Sequence, residues 1–442
     1  MMLRWPVRLL FAGALLALVA AFVWRQLLLP DPLAFAGGTR VALADYGAGV
    51  TGVPAELADA DPVTKGKYLA EAADCAACHT AKGGKPYAGG RAFRLPFGTI
   101  YTPNITPDRE TGIGAWSDAE FLRAVHQGIG RNGERLYPAF PYASYTMLAD
   151  ADVVAIRRYL ATIPAVRASN RPNSFVFPFN QRWLMRAWSG FFNADRRFRP
   201  VAERSAQWNR GAYLVEAAGH CGECHTPRTL LQAMDTRRKL AGGQAEGWNA
   251  YNISGDRLSG IGAWSADDLA AYLSKGHAPG HGVASGPMAE VVALSTSRLT
   301  RSDIMAIVTY LRTVPAVPTK VWPRMAGAAP AVANEGPTYN VAGKRLFEGA
   351  CASCHAWSGQ GAITADQQLT GNRAVNDGSA RNVALMLLNG MGKPEGAGPY
   401  MPSFRDSYSD AEIAAVANYV TARFGSVPSR VTAADVHRLR AE

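Results

Sequence analysis

The chain has 442 residues, of which 48% are hydrophobic, so we expect about three domains with ordinary cores. Its 46 Lys and Arg residues exceed its 35 Asp and Glu residues, which gives a formal net charge of +11. The basic residues form no dense run, and this excludes the class of nucleic-acid-binding proteins. A basic surface instead suits anionic lipid or an acidic partner protein.

The N-terminus has the pattern of an export signal. Arg4 and Arg8 precede an uncharged apolar run at 9–24, and a basic stretch followed by an apolar one is typical of exported proteins. The run is short for a membrane span, which needs about 20 residues, but flanking Arg side chains extend its reach. We therefore expect a signal or membrane-anchor helix at 1–30 that is retained as an anchor, with cleavage near 34–36 as the alternative. Either way, the body of the chain lies on the periplasmic side of the bacterial cytoplasmic membrane.

All six cysteines of the chain fall in three Cys-x-x-Cys-His motifs. The motifs are Cys75-Ala76-Ala77-Cys78-His79, Cys221-Gly222-Glu223-Cys224-His225 and Cys351-Ala352-Ser353-Cys354-His355. A helix-compatible stretch that opens on Gly66, Gly211 or Gly343 leads into each motif. The chain is therefore a threefold repeat of one unit.

The first two units agree further along the chain. Each has an Asn-Ile segment followed by Gly-Ile-Gly-Ala-Trp-Ser. Ser117 and Ser265 are good N-caps for amphipathic helices at 118–126 and 266–277. A further helix closes each unit, and the helix at 410–420 closes unit three. The pattern predicts an all-α fold with long loops.

The repeats divide the chain into units joined by linkers. The predicted segments are 60–166 for unit one, 167–204 for an aromatic and basic linker, 205–317 for unit two, 318–337 for a Pro- and Ala-rich linker, 338–428 for unit three and 429–442 for a polar tail.

The motif itself indicates covalent haem attachment. Two thiols one helical turn apart can each form a thioether to a haem vinyl group, and Nε2 of the next histidine can then ligate the iron. Disulfides would leave the three histidines unexplained, and a zinc site would need four ligands close together. A thioredoxin-like motif needs alternating strands and helices. We therefore predict three covalently bound haem c groups, with His79, His225 and His355 as iron ligands.

Methionines are the candidate second axial ligands, because a thioether raises the reduction potential and suits electron transfer. Met288 follows Gly286-Pro287, and Met401 lies in Gly398-Pro399-Tyr400-Met401-Pro402. Both precede the last helix of their unit, in a loop. His277 and His281 are minor alternatives to Met288.

Unit one departs from this pattern. By spacing, its ligand falls at Phe140, which cannot bind iron. Met147 is the nearest thioether and our predicted ligand, with a merely buried Met147 as the competing interpretation. His126 and an open, five-coordinate iron are further alternatives.

With these residues assembled, the sequence resembles the three-haem cytochrome c subunits of bacterial membrane-bound alcohol, aldehyde, gluconate and sorbitol dehydrogenases. The resemblance covers nearly the whole chain after the N-terminal run. It rests on the segments 74–80, 84–90, 96–106, 177–183, 208–211 and 224–228. It implies three tandem class I cytochrome c domains with long haem-wrapping loops.

The resemblance also implies partners. A catalytic dehydrogenase subunit with pyrroloquinoline quinone, flavin or a molybdenum cofactor would oxidise the substrate, and electrons would pass to ubiquinone or a terminal oxidase. Family members often have Met at the position of Phe140. The form found at 137–142 is similar to subunits paired with molybdenum-containing aldehyde dehydrogenases.

The leading functional hypothesis is an electron-carrying subunit without a substrate site of its own. The alternatives are a self-sufficient, peroxidase-like haem enzyme that uses an open haem in unit one, and a freely diffusing electron shuttle. The aromatic and basic linker has two interpretations as well. It packs units one and two together, or it forms a surface that meets lipid headgroups, quinone or the catalytic subunit.

Overall fold

The computed structural model describes residues 21–47, 49–319, 340–392 and 400–441. The apolar run at 9–24 and the Pro- and Ala-rich linker at 318–337 lie almost wholly outside these residues, as do Gly398 and Pro399. No helix within the described part of the chain is long and apolar enough to cross a membrane.

Helices dominate each unit, as the sequence predicts. Through unit one they are α1 (Leu43–Tyr46), α2 (Pro62–Ala72), α3 (Cys75–His79), α4 (Asp118–Gln127), α5 (Tyr142–Tyr145) and α6 (Asp150–Leu160). The linker and unit two contain α7 (Leu184–Phe192), α8 (Ala206–Tyr213), α9 (Gly222–His225), α10 (Ala266–Lys275), α11 (Pro287–Leu294) and α12 (Arg301–Leu311). Unit three and the C-terminus contain α13 (Val341–Ala350), α14 (Ala352–His355), α15 (Arg381–Asn389), α16 (Asp410–Phe424) and α17 (Ala433–Ala441).

The first and last long helices of every unit cross at a glycine. A Cβ atom added to any of these glycines would lie far inside van der Waals contact of a backbone oxygen on the partner helix. The distances would be 2.1 Å from Gly66 to Ala155 O, 1.9 Å from Gly211 to Ala306 O and 2.2 Å from Gly343 to Ala415 O. Close approach of the backbones therefore requires glycine at this position of the repeat.

The predicted N-caps are confirmed. The Ser117 hydroxyl accepts a hydrogen bond from Glu120 N, and the Glu120 carboxylate accepts one from Ser117 N in return. Ser265 forms the same reciprocal pair with Asp268. Helix α10 ends two residues before the predicted boundary, because Gly276 adopts a left-handed conformation with φ of +76°.

Short antiparallel hairpins lie in the loops, where the sequence predicts no strands. They are β1 (Ala92–Leu95), β2 (Gly98–Tyr101), β3 (Ser174–Phe175), β4 (Gly243–Ala245), β5 (Trp248–Ala250), β6 (His277–Ala278) and β7 (Gly282–Val283), paired as β1-β2-β3, β4-β5 and β6-β7. Because β3 comes from the linker at 167–204, the linker adds a strand to unit one.

The same linker also reaches unit two, since Trp188 Nε1 donates a hydrogen bond to Leu231 O at 2.7 Å. The linker thus packs against both units, as the first interpretation predicts. Other aromatic side chains of the linker stay in solvent: Phe177 is 78% exposed and Trp183 is 69% exposed.

Units one and two share one hydrophobic core, to which Leu69 and Val153 contribute from one side and Tyr213 and Ile304 from the other. Unit three has a separate core that includes Phe347 and other side chains of α13, α15 and α16.

The C-terminal segment, expected as a polar tail, folds as α17 against unit three. Val436 and Leu439 are buried there, because a spacing of three residues places both on one helix face. His437 stays exposed on the other side.

Candidate functional site

The cysteines of all three motifs are free thiols, so none forms a disulfide. Burial, with smaller contributions from Asp74 and Cys78, raises the pKa of Cys75 to about 12. Burial likewise raises the pKa of Cys221 to about 12. The described residues contain no group of three or more His, Cys, Asp or Glu side chains that could hold a metal ion by themselves. The chemistry of the donor set therefore fits thioether attachment of a cofactor.

The motif histidines share one geometry. Nδ1 of each lies at hydrogen-bond distance from a backbone carbonyl oxygen: 2.8 Å from His79 to Pro103, 2.6 Å from His225 to Tyr251 and 2.7 Å from His355 to Gln367. Burial lowers the pKa of all three imidazoles. A neutral imidazole that donates from Nδ1 keeps the Nε2 lone pair for a metal. The three histidines are thus prepared to ligate iron through Nε2.

Unit two encloses a cavity that suits a flat, apolar cofactor. Cys221, Cys224, His225 and Met288 all line it. Apolar side chains complete most of the wall, among them Ile253, Ile261, Leu269, Val291 and Leu311. The structure therefore brings the predicted attachment and ligand residues of unit two together.

The sequence predicts a loop at Met288, but Met288 lies in the first turn of α11, because the helix already begins at Pro287. The preceding Gly286 has a φ of +53°, and a Cβ there would lie 2.4 Å from the Trp248 ring. The Gly-Pro turn is therefore fixed against Trp248 and sets the position of Met288. Of the two minor candidates, His277 is engaged outside the cavity, with Nδ1 2.8 Å from Asp366. His281 lines the cavity, and its ring stacks there on Trp264 at 3.8 Å.

In unit one, Phe140 occupies the place along the chain that Met288 has in unit two. Its ring packs 5.6 Å from that of Tyr145, whose hydroxyl donates to Ala73 O beside the motif. Met147 is buried and lines a second cavity, together with Met234 of unit two and the N-terminal residues 27 and 29–32. The assignment of Met147 as ligand stays a prediction.

His126, the other candidate of unit one, is also buried. Its Nδ1 lies 3.7 Å from Asp150, and Nε2 has no hydrogen-bond partner in the described structure. Burial, with a contribution from Arg197, lowers the pKa of His126 to about 4, which keeps the ring neutral.

The third motif lies closer to solvent. Cys351 is buried but Cys354 is exposed, and the neighbouring Trp357 is 43% exposed. Met401 is half-buried against the core of unit three and pairs with Met391 through reciprocal backbone hydrogen bonds of 2.8 and 2.9 Å.

Arg91 connects the motif of unit one to unit two, a role that the sequence did not indicate. Its Nη1 donates to Ala77 O at 2.7 Å, and the guanidinium also pairs with Glu246 and Glu290. Asp74 of unit one lines the cavity of unit two. Arg91 and Asp74 thus bring the motif of unit one into contact with unit two.

Comparison with known proteins gives a consistent result. A family model described as Cytochrome c matches residues 63–164 and 341–423. A nicotinate dehydrogenase subunit of Pseudomonas putida is 43% identical over 82% of this chain, which spans only 30% of that longer protein. The gluconate 2-dehydrogenase cytochrome c subunit of Pantoea cypripedii is 36% identical over 86% of this chain and 89% of its own length. The fructose dehydrogenase cytochrome subunit of Gluconobacter japonicus is 37% identical over 86% and 82%.

Proposed function

The chain belongs to the cytochrome c subunits of membrane-bound dehydrogenases, and from this we propose that it carries electrons through three haem c groups. Bound haem c supplies one-electron chemistry, and the protein sets its ligands and surroundings. We assign the axial pairs His79 and Met147, His225 and Met288, and His355 and Met401.

The repeated histidine geometry is the observation that carries this proposal. Three imidazoles, each next to a pair of motif thiols, keep Nε2 available by donating from Nδ1 to a backbone carbonyl. A single such site fits any c-type haem protein, whereas three in one chain fit a multi-haem electron carrier. The contact between units one and two further supports transfer between their haems.

We propose that a catalytic dehydrogenase subunit supplies the electrons. Support comes from the relatives, which are named as subunits of nicotinate, gluconate and fructose dehydrogenases. The partner subunit would hold pyrroloquinoline quinone, flavin or a molybdenum cofactor, and the acceptor would be ubiquinone or a terminal oxidase.

The proposed location is the periplasmic side of the cytoplasmic membrane, with the N-terminal run as anchor. Support comes from the basic and apolar pattern at 4–24. At the end of this run, Phe22 is 50% exposed and Trp24 is 65% exposed. The segment that follows contacts unit two, since Leu230 N donates to Gln26 Oε1 at 3.4 Å.

The test is the haem content and spin state of the purified protein. We expect three haems per chain, all low-spin in the ferric state, and their reduction when the native complex turns over its substrate. Met147→Ala should then remove one of the methionine–iron absorption bands. A haem count below three would contradict the proposal.

A second candidate is a peroxidase-like enzyme with an open haem in unit one. The observation that favours it is Phe140, packed on Tyr145 where unit two has Met288. One high-spin ferric haem that reacts with peroxide would support this candidate, and three low-spin haems would exclude it.

A further inference from the structure

One arginine of unit three lies in the wall of the cavity of unit two. Arg373 lines this cavity, its Nη1 donates to Asn252 O at 2.9 Å, and Nη2 donates to Ser259 O. The guanidinium also lies 5.4 Å from the centre of the Tyr251 ring. Because Tyr251 O accepts the hydrogen bond from His225, Arg373 stands beside the predicted proximal ligand of unit two.

The loop that carries Arg373 is docked firmly on unit two. Gly371 has a φ of +78°, and a Cβ there would lie 2.4 Å from Gly280 O between β6 and β7. On the other side, the side-chain amide of Asn382 exchanges hydrogen bonds of 2.9 and 3.0 Å with the backbone of Asn249. Arg373 is therefore held in place from both ends of its loop.

The charge of Arg373 has no counter-ion among the described residues. Asp377, an acidic residue of the same region, is engaged by Asn249 and Ser379 instead. Burial lowers the pKa of Arg373 to about 10, even though Tyr251 and Tyr272 oppose the shift. By contrast, the buried Arg210 is paired with Asp303 at 2.7 Å. Arg373 is half-buried, and a partly desolvated cation without an anion is costly, so the position of Arg373 calls for an anion in the cavity.

We propose that Arg373 is the counter-cation of a haem propionate in the cavity of unit two, so that unit three completes the haem site of its neighbour. The proposal rests on the proposed function, which puts a haem c in this cavity. A haem carries two carboxylates, and a planar guanidinium is well suited to bind one of them. A fixed positive charge near the iron also favours the reduced state and raises the potential of that haem.

The experiment is a potentiometric titration of the intact protein, in which the three haems are followed as separate components. Arg373→Gln should move one component to lower potential, with at least a tenfold change in its ratio of reduced to oxidised haem at fixed potential, or about 59 mV for one electron. Arg373→Lys keeps the charge and should restore most of the shift. Arg430→Gln removes an exposed arginine that follows unit three and should move no component.

Arg373→Met is a second variant that removes the charge, and it tests the proposal if Arg373→Gln fails to fold. Arg373→Met replaces the half-buried cation by a flexible apolar chain, and replacement of desolvated ions by apolar side chains is often tolerated. It should give the same shift as Arg373→Gln. A lysine variant that shifts as far as the glutamine variant would overturn the role of charge.

Met288→His identifies the haem of unit two, because a change of axial ligand lowers the potential of that component. If three haems are bound and Arg373→Gln leaves the component marked by Met288→His unchanged, the inference about Arg373 is wrong while the proposed function stands. If Met288→His moves no component, or fewer than three haems are bound, the proposed function itself fails.

Discussion

Units one and two form a fused pair that shares one hydrophobic core, whereas unit three has a core of its own. Unit three meets unit two through hydrogen bonds such as those of Asn382 with Asn249, and Trp248 and Tyr251 of unit two pack against its core. Three repeats that are alike in sequence are thus assembled in two different ways. We expect unit three to differ from the fused pair in its free energy of unfolding and to unfold independently of it.

A buried ionic network marks the fused junction. Arg210 and Asp303 of unit two have side chains that are only 6% and 2% exposed, 2.7 Å apart. Tyr68 of unit one donates to the same carboxylate at 2.6 Å. Arg210 Nη1 also donates to Val50 O and Gly52 O in the N-terminal segment. The ion pair of Asp303 and Arg210 therefore joins unit one, unit two and the N-terminal segment.

The largest expected effect is that of Asp303→Asn. This change leaves Arg210 buried without its counter-ion, so we expect the fused pair to lose about 3–5 kcal/mol of unfolding free energy. The described residues of unit three make no hydrogen bond or ion pair to this network, and that unit should keep its stability. Hydrogen exchange followed by mass spectrometry measures both regions in one sample, with α12 reporting on the fused pair and α16 on unit three.

Asp267→Asn is the matched control, because the Asp267 side chain is 91% exposed and lies 4.0 Å from Arg301. We expect a change below about 0.5 kcal/mol. If Asp303→Asn accelerated exchange in α16 as much as in α12, the two regions would form one cooperative unit and the comparison would be wrong.

Gly343→Ala tests unit three from its own side. The new Cβ would lie 2.2 Å from Ala415 O, so α13 and α16 must separate, and overpacking of this kind costs about 1–3 kcal/mol. Exchange should rise in α13 and α16 and stay unchanged in α8 and α12.

Gly349→Ala, on the same helix, is the control for Gly343→Ala. Nothing lies within 4 Å of a Cβ placed at this position, so the substitution should stabilise α13 by about 0.5–1 kcal/mol. Equal destabilisation by both alanines would show that the close helix crossing is not the reason for glycine at position 343.

The sequence predicted what local signals encode. The motifs, the helices before them and the N-caps Ser117 and Ser265 depend on residues a few positions apart, and the structure has these helices where they were expected. The hairpins were missed because their residues carry no clear alternation. Arg91 and Arg373 were missed because their partners lie far along the chain, in other units. The shared core could not be predicted, since three similar repeats are compatible with separate packing.

The smallest expected effect is at the edge of the fused junction. Arg91 is 18% exposed and pairs with Glu246 and Glu290, which are 32% and 47% exposed, so solvent screens both pairs. Arg91→Gln should lower the unfolding free energy of the pair by about 1 kcal/mol, with faster exchange confined to α3 and α11. Arg167→Gln removes a pair whose side chains are 73% and 65% exposed and should have no measurable effect. If Arg91→Gln were as harmful as Asp303→Asn, the part-exposed ion pairs would matter as much as the buried network in holding the two units together.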